Sequence, residues 1–402
     1  MDNTGKGLHT ELSGRQLTDL TAGVMFALFA VLFLLFPDGL QRDLFYNRGS
    51  DLLADFLNSV RHVDSGNPYA LGHIQPPLGY LVLLPFTLFA DFSQPLSVLW
   101  NSAGALTAAA VFVALSEVML AAFLYIYIRE RYGKTLPVLF WIIFSGVNFS
   151  AMERGTTVIL SAGCVAGFFA LYRPERSWKN LAALFLLSMA GALKIYPAVF
   201  ILVLLKERDF RGVLWCALFS VLLGVLPFFC FPGGLDNIPL LLDNLAVYRK
   251  DFALSCIDLR MIHVLQSDFS LAGAEKYYVI FRNVADVIVL FSCGVAFLRG
   301  KRDFLVFALA CFVALCPAGA MGYTLLYLAV PFADFYAQAE RSKIAAAGAL
   351  TVAVVYTPLR FVCQMNMFFT VVACCLVLLM IACAVTADWV KNRSFKEDKD
   401  VF

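Results

Sequence analysis

Charge is what this chain has least of. Only 15% of its 402 residues are Asp, Glu, Lys or Arg, and 61% are hydrophobic. Soluble domains carry nearer a quarter charged residues, so an ordinary water-soluble globule is excluded. The formal net charge is +2, too small for a one-signed field, so no nucleic-acid partner is expected. The eleven cysteines and four histidines form no Cys-x-x-Cys pair and no Cys/His ligand spacing. Most of the cysteines, Cys164, Cys216, Cys293, Cys311, Cys374, Cys375 and Cys383 among them, sit inside apolar runs, where a thiol behaves as a small hydrophobe. Cys230 and Cys256 are the two placed for disulfide or metal use. No internal repeat or low-complexity tract is visible. The polar stretch Met1 to Gln16 lacks a cleavable-signal pattern, so the first apolar run is expected to remain as an anchor.

What the chain has in quantity is long apolar runs. Mean hydropathy is +0.78, and at about 20 residues per spanning helix roughly ten to thirteen spans fit. Apolar runs fall at 17–36, 100–128, 135–151, 156–172, 180–193, 195–205, 212–230, 278–298, 304–317, 322–338, 344–361 and 367–387. The 38 phenylalanines suit lipid-facing and helix-packing surfaces. Most lysines and arginines cluster in the tails and in very short loops: Lys6 and Arg15, Arg129 to Lys134, Arg173 to Lys179, Lys206 to Arg211, Arg299 to Arg302, Arg341 and Lys343, and Lys391 to Lys399. The positive-inside rule makes that side cytoplasmic, with both termini inside.

The expected fold is therefore an all-α polytopic membrane protein, one integral domain over 1–402 with about 12 transmembrane helices. A first extracytoplasmic loop at 37–99 carries interfacial helices, a second occupies 231–277, and 388–402 is a cytoplasmic tail. This topology requires that Leu78–Phe92, short and interrupted at Pro85, lie at the interface or re-enter rather than cross. A full crossing would invert every later loop against the charge rule.

An ionisable group inside a span costs on the order of 2.5–3.5 kcal/mol, so each needs a partner or a purpose. Lys194 is the sole charge between Lys179 and Lys206 and stands beside Pro197; Arg154 follows Glu153 at the matching outer turn between Lys134 and Arg173. The bland alternatives are snorkelling of Lys194 to the outer headgroups and, for Glu153 and Arg154, a local ion pair closing a helical hairpin. Glu117 lies mid-span, expected to hydrogen-bond across helices, and Arg282 and Asp286 are spaced to pair at i, i+4.

The first outer loop holds the densest polar pattern: Arg48-Gly-Ser-Asp51-Leu-Leu-Ala-Asp55-Phe, then Ser65-Gly-Asn-Pro-Tyr69 and Gln75-Pro-Pro-Leu-Gly-Tyr80. Asp51 and Asp55, four apart, share one helix face. The outer side then collects Asp51, Asp55, Arg154, Lys194, Arg249, Lys250 and Arg260. A carboxylate that can deprotonate a hydroxyl, beside cations that can hold a lipid-linked phosphate as leaving group, suits group transfer at headgroup level. As a bland alternative, Asp51 after Gly49-Ser50 reads as a helix N-cap.

Ser50-Asp51, Asp55-Phe56, Ser65-Gly66-Asn-Pro-Tyr69 and Pro76-Pro77-Leu78 resemble the first outer loop of glycosyltransferase family 87. Leu193-Lys194-Ile-Tyr-Pro197 is similar to that family's Leu-Lys-x-x-Pro step, Glu153-Arg154-Gly155 to its Glu-Arg-Gly-Asn turn, and Pro317 with Tyr323 and Tyr327 to a late Pro…Tyr helix start. The resemblance covers about residues 20–340. Departures stand at Gln75, where the family usually has Tyr, at Thr156, where it has Asn, and at Asp55, where an aromatic is common. The resemblance implies a GT-C-type membrane enzyme that moves a hexose, such as mannose, from a polyprenyl-phosphate donor to a lipid or glycan acceptor with inversion. Asp51 would be the base, with Asp55 orienting the acceptor or sharing the proton. Lys194 and Arg154 would hold the donor phosphate, Arg249 and Lys250 would clamp it, and Tyr69, His73, Gln75 and Tyr323 would contact sugar or acceptor. No cofactor is expected, although a divalent metal stays open, and the expected setting is a bacterial inner membrane. Two other readings stand beside it: a secondary transporter or lipid-linked glycan flippase, which calls for mid-span polar groups and repeated halves, and a glycan polymerase or ligase.

Overall fold

A computed structural model describes residues 12–35, 52–133, 136–173, 177–251, 274–317, 322–357 and 370–387. Helices occupy the apolar runs, and there is no strand among the described residues. The chain opens with α1 (Gly14–Leu35). Three short helices follow in the first loop, α2 (Ala54–Asp64), α3 (Pro77–Leu81) and α4 (Leu96–Leu99). The bundle continues with α5 (Ala103–Tyr132), α6 (Leu136–Ile143), α7 (Gly146–Arg154), α8 (Val158–Leu171) and α9 (Ser177–Leu193). Then come α10 (Ile201–Lys206), α11 (Phe210–Val225), α12 (Asn237–Asp251), α13 (Ala274–Leu298) and α14 (Arg302–Leu315). The last are α15 (Ala329–Gln338), α16 (Lys343–Val355) and α17 (Thr370–Ala387).

Among the described residues, four stretches are long and apolar enough to cross a membrane: Ala103–Tyr132, Phe210–Cys230, Val279–Leu298 and Thr370–Ala387. Their outward residues, such as Leu115 and Val118 on α5 or Val287 and Phe291 on α13, are large, apolar and exposed, a surface that lipid would cover. The Leu78–Phe92 stretch forms no through-going helix. Pro76 and Pro77 start α3, which ends at Leu81, and a 3₁₀ turn over Leu84–Phe89 with proline in its first turn follows.

The spine of the bundle is α8, whose residues are buried on nearly all sides. It lies between α5 and α9. Apolar side chains gain little by leaving lipid for protein, so close packing and interhelical hydrogen bonds must hold such a helix. At Gly163 a Cβ would stand 2.8 Å from Met119 Cε and 3.3 Å from Leu120 Cα, so the α5 contact depends on there being none. Ser161 donates to the Ala190 carbonyl on α9 at 3.1 Å and accepts from the Tyr327 hydroxyl at 2.8 Å.

The charged short loops meet at one end of the bundle. Arg131 pairs with Asp303, Arg173 and Lys179 with Glu130, Arg302 with Glu207, and Arg15 with Glu340. The Lys206 ammonium donates to the carbonyls of Ala296 and Phe297. At the centre lies Asp334, 2% exposed, which accepts from the hydroxyls of Tyr127 and Tyr132 and lies 3.6 Å from Arg131 Nε. The first loop packs instead at the other end of α5, where Phe56, Leu57 and Val60 meet Ala105, Ala108 and Phe112. At 1.5 Å per residue, Ala108 to Arg131 spans roughly 35 Å, somewhat more than a hydrocarbon core.

Removing Asp334 strands the hydroxyls of Tyr127 and Tyr132 and takes a partner from Arg131, at about 1–3 kcal/mol for each buried group left unsatisfied. Asp334→Leu is expected to lower the midpoint of thermal unfolding of the detergent-solubilised protein far more than Glu340→Gln, whose side chain is 49% exposed. Equal midpoints would show that the Asp334 cluster does not hold this end of the bundle.

Candidate active site

The site begins with a sharp corner. α7 ends at Gly155, which is left-handed at φ 62, and the chain turns at once into α8. A Cβ on Gly155 would lie 2.7 Å from Phe56 Cβ, so the corner and α2 are in direct backbone-level contact. The entry to α2 is pinned there as well. Leu53, itself at φ 53, donates its amide to the Glu153 carbonyl at 2.6 Å, and the Trp100 indole donates to the Leu52 carbonyl at 2.8 Å. A branched residue persists in that region only where its surroundings over-determine it.

This contact sets Arg154 against Asp55. Arg154 donates from Nε at 3.1 Å and Nη2 at 2.6 Å, both to Oδ1 of Asp55. The other oxygen, Oδ2, accepts from the Tyr323 hydroxyl at 3.2 Å. The pair is mostly covered, with side-chain exposures of 16% for Arg154 and 25% for Asp55. It borders a cavity of about 1030 Å³ whose lining includes Asp55, Arg154, Lys194, Tyr196, Gln75 and Tyr323. Lys194 arrives from the C-terminal end of α9, immediately before the 3₁₀ turn Tyr196–Phe200 that carries Pro197. Lys194 lines the cavity with Asp55 but makes no direct ion pair among the described residues.

A second wall is polar without formal charge. His62 on α2 and His73 stack at 3.3 Å between ring centroids, tilted by 27°, and both face the cavity with Asn58, Ser59 and Gln75. Burial first, then His73 and Arg61, push His62 down to about 3; burial lowers His73 too. Neutral imidazoles, amides and hydroxyls both donate and accept, as recognition of sugar hydroxyls requires.

The structure thus brings Asp55, Arg154, Lys194, His73, Gln75 and Tyr323 to one cavity. Tyr69 is placed differently. It is 1% exposed and packs with Tyr80, Phe228 and Phe231, its hydroxyl reaching the Gln75 carbonyl at 3.4 Å. It joins the two loops, helped by Asn67 on Asn237 and Asn244 on the carbonyls of Tyr69 and His73. Arg249 and Lys250 fall near the end of α12, with side chains outside the described residues, while Tyr248 beside them lines the cavity. Asp51, Arg260 and Cys256 lie outside the described residues. Cys230 is an exposed free thiol. Glu117 accepts from Asn148 Nδ2 at 2.9 Å, and Arg282 pairs with Asp286 at 3.2 Å. Among the described residues no three His, Cys, Asp or Glu side chains form a metal-ligand set.

The sequence reading did not single out His62, Asn58, Thr157, Tyr196 or Tyr248. The Gly66-Asn67-Pro68 turn separates the two histidines, so no helical period links them, and threonine before a helix reads as an ordinary cap. Only the tertiary fold brings them to one wall.

Two measurements check this geometry. Gly155→Ala should cost about 1–3 kcal/mol in stability through strain and overpacking; an unchanged unfolding midpoint would mean the corner is not tightly packed on α2. Folded His62 stays neutral down to about pH 3, whereas unfolded it takes up a proton near 6.5. The unfolded chain binds the extra proton in that window, so stability is full above it and falls as pH drops through it. His62→Gln should flatten the fall in melting temperature on acidification from about pH 7 to pH 5, and a parallel profile would contradict a buried neutral His62.

No curated protein and no solved structure matches the chain. The model of glycosyltransferase family 87 matches residues 74–316. That region starts one residue after His73, downstream of Asp51, Asp55 and Tyr69, and takes in Gln75, the α7–α8 corner with Arg154, and the Lys194 step. Covering more than half of the chain, the match makes it a member of glycosyltransferase family 87.

Proposed function

We propose that this membrane glycosyltransferase moves a hexose, with mannose the leading candidate, from a polyprenyl-phosphate donor to a lipid or glycan acceptor on the extracytoplasmic face. The observation that carries the reading is the convergence of Asp55, Arg154, Lys194 and Tyr323 in one cavity. That cavity lies at the end of the bundle opposite the basic loops. By the positive-inside rule the basic end faces the cytoplasm and the cavity faces out, in a bundle of about twelve spans within a bacterial inner membrane.

In the proposed reaction a carboxylate takes the proton of the acceptor hydroxyl as its oxygen attacks the anomeric carbon. The bond from that carbon to the phosphate oxygen breaks on the far side, so configuration inverts. The bonding electrons stay on the phosphate, which leaves as polyprenyl phosphate with one more negative charge. Lys194 and Arg154 stand where that charge grows, and fixed cations there favour the transition state over the ground state. Arg249 and Lys250 follow Tyr248 on α12 and would add to the clamp. Asp51 is the proposed base. Asp55, with each oxygen already accepting a hydrogen bond, orients the acceptor, and His73, Gln75 and Tyr323 contact sugar or acceptor. No metal is invoked for the leaving group.

The test uses purified protein in proteoliposomes with a polyprenyl-phosphate sugar, following release of polyprenyl phosphate. Asp51→Asn should lower turnover by about 10²–10⁴, the usual worth of a general base, and Lys194→Gln by about 10²–10³, as for a lost oxyanion contact. Turnover retained in the Asp51 variant would remove it as base. Translocation of the donor without release would favour the flippase reading instead.

A further inference from the structure

At the corner into α8, Thr157 is left without a bonding partner. It is the N-cap residue of α8 but makes no side-chain cap, its backbone standing at φ −63 and ψ −5. It is 4% exposed, it lines the cavity, and its hydroxyl has no hydrogen-bond partner. A threonine at this position ordinarily turns its oxygen onto the amides of the first helical turn. Thr156 serves those amides instead, accepting from Val158 N–H at its hydroxyl (3.4 Å) and from Ile159 N–H at its carbonyl (3.3 Å). The amide of Thr157 itself has no acceptor among the described residues. A buried donor left unpaired is destabilising, and native structures seldom keep one without a use.

Two features of this cavity favour an anion. The N-terminus of a 14-residue helix carries about half a positive charge. Lys194, also on the cavity wall, offers three N–H donors. Among the described lining residues the one carboxylate is Asp55, and both of its oxygens already accept. A helix N-terminus and an ammonium on one cavity, whose single described carboxylate is already engaged, suit an anion with several oxygens.

We propose that the N-terminus of α8, through the hydroxyl and amide of Thr157, binds the phosphate of the lipid-linked donor against Lys194. This deepens the glycosyl-transfer reading and rests on it. Lys194 supplies net charge, and Thr157 supplies directed hydrogen bonds that fix which phosphate oxygen faces the anomeric carbon.

Binding of farnesyl phosphate, farnesol and inorganic phosphate to the purified full-length protein in nanodiscs tests this without turnover. The native protein should bind farnesyl phosphate at least about tenfold more tightly than farnesol. Thr157→Val, which keeps the shape and removes the hydroxyl, should weaken farnesyl phosphate binding by about five- to tenfold, the worth of one hydrogen bond. It should leave farnesol binding unchanged, which also reports that the variant is folded. Thr157→Ser should restore most of the loss, and Thr157→Ala serves if the valine variant does not fold. Inorganic phosphate is expected to compete only weakly, and competition as strong as that of the lipid would overturn the lipid source. If native protein prefers the phosphate, Lys194→Gln abolishes the preference and Thr157→Val does not touch it, the α8 subsite is wrong while the glycosyl-transfer reading stands. If native protein does not distinguish farnesyl phosphate from farnesol, both fail. A valine variant that loses farnesol and farnesyl phosphate equally also overturns the proposal, since a phosphate contact cannot act on the alcohol.

Discussion

The contact between Arg154 and Asp55 ties a loop helix to the buried frame. α2 belongs to a segment too polar to span a membrane, and it approaches the bundle only where its residues find matching partners. Burying a carboxylate and a guanidinium costs solvation that the pair recovers only with good geometry and further hydrogen bonds. Here both guanidinium bonds fall on one oxygen and Tyr323 satisfies the other. Such a pair adds little net stability over an apolar replacement, yet losing one partner is expensive. Its effect is therefore on register. With Gly155 against Phe56 and the Leu53 amide on Glu153, it fixes where the acidic helix stands relative to the start of α8.

That placement matters because α8 joins the two ends of the molecule. Its N-cap residue, Thr157, borders the cavity, and just past its last residue the Tyr172 and Arg173 side chains join the charged end, Arg173 pairing with Glu130. Small residues let α5 approach it closely, and Ser161 and Tyr327 bond across it. A helix held on every side presents its N-terminal groups in one arrangement. Preorganised dipoles of that kind need no reorientation when charge develops.

Much of this architecture can be read without coordinates. Periods of apolar residues set the helices, and Pro76, Pro77 and Pro85 mark where the Leu78–Phe92 stretch breaks. Lys194 and Arg154 stand out because a charge in an apolar run is costly, and both come to the cavity. Local sequence is silent on partners. The Arg154–Asp55 pair joins positions 99 residues apart and the Tyr127–Asp334 bond positions 207 apart, so a local Glu153–Arg154 pairing was the nearer expectation. Asp334 passed unremarked because its cation comes from a different loop. Tyr69 fits the loop motif, yet its ring is consumed in joining the two loops.

The same geometry bears on what Asp55 can do. Asp55 takes two protons' worth of hydrogen bonds at Oδ1 and one at Oδ2. A carboxylate has about four lone-pair sites, so one remains, on Oδ2, to accept from an acceptor hydroxyl. A phosphate arriving between Lys194 and α8 would also meet the Arg154 guanidinium, and any donor bonds it draws toward itself loosen the hold on Asp55. Donor binding and acceptor orientation would then be coupled through one arginine, with the acceptor wall at its final geometry only once the donor is seated. Coupling of that kind disfavours attack by water on an unaccompanied donor, the side reaction a transferase most needs to suppress.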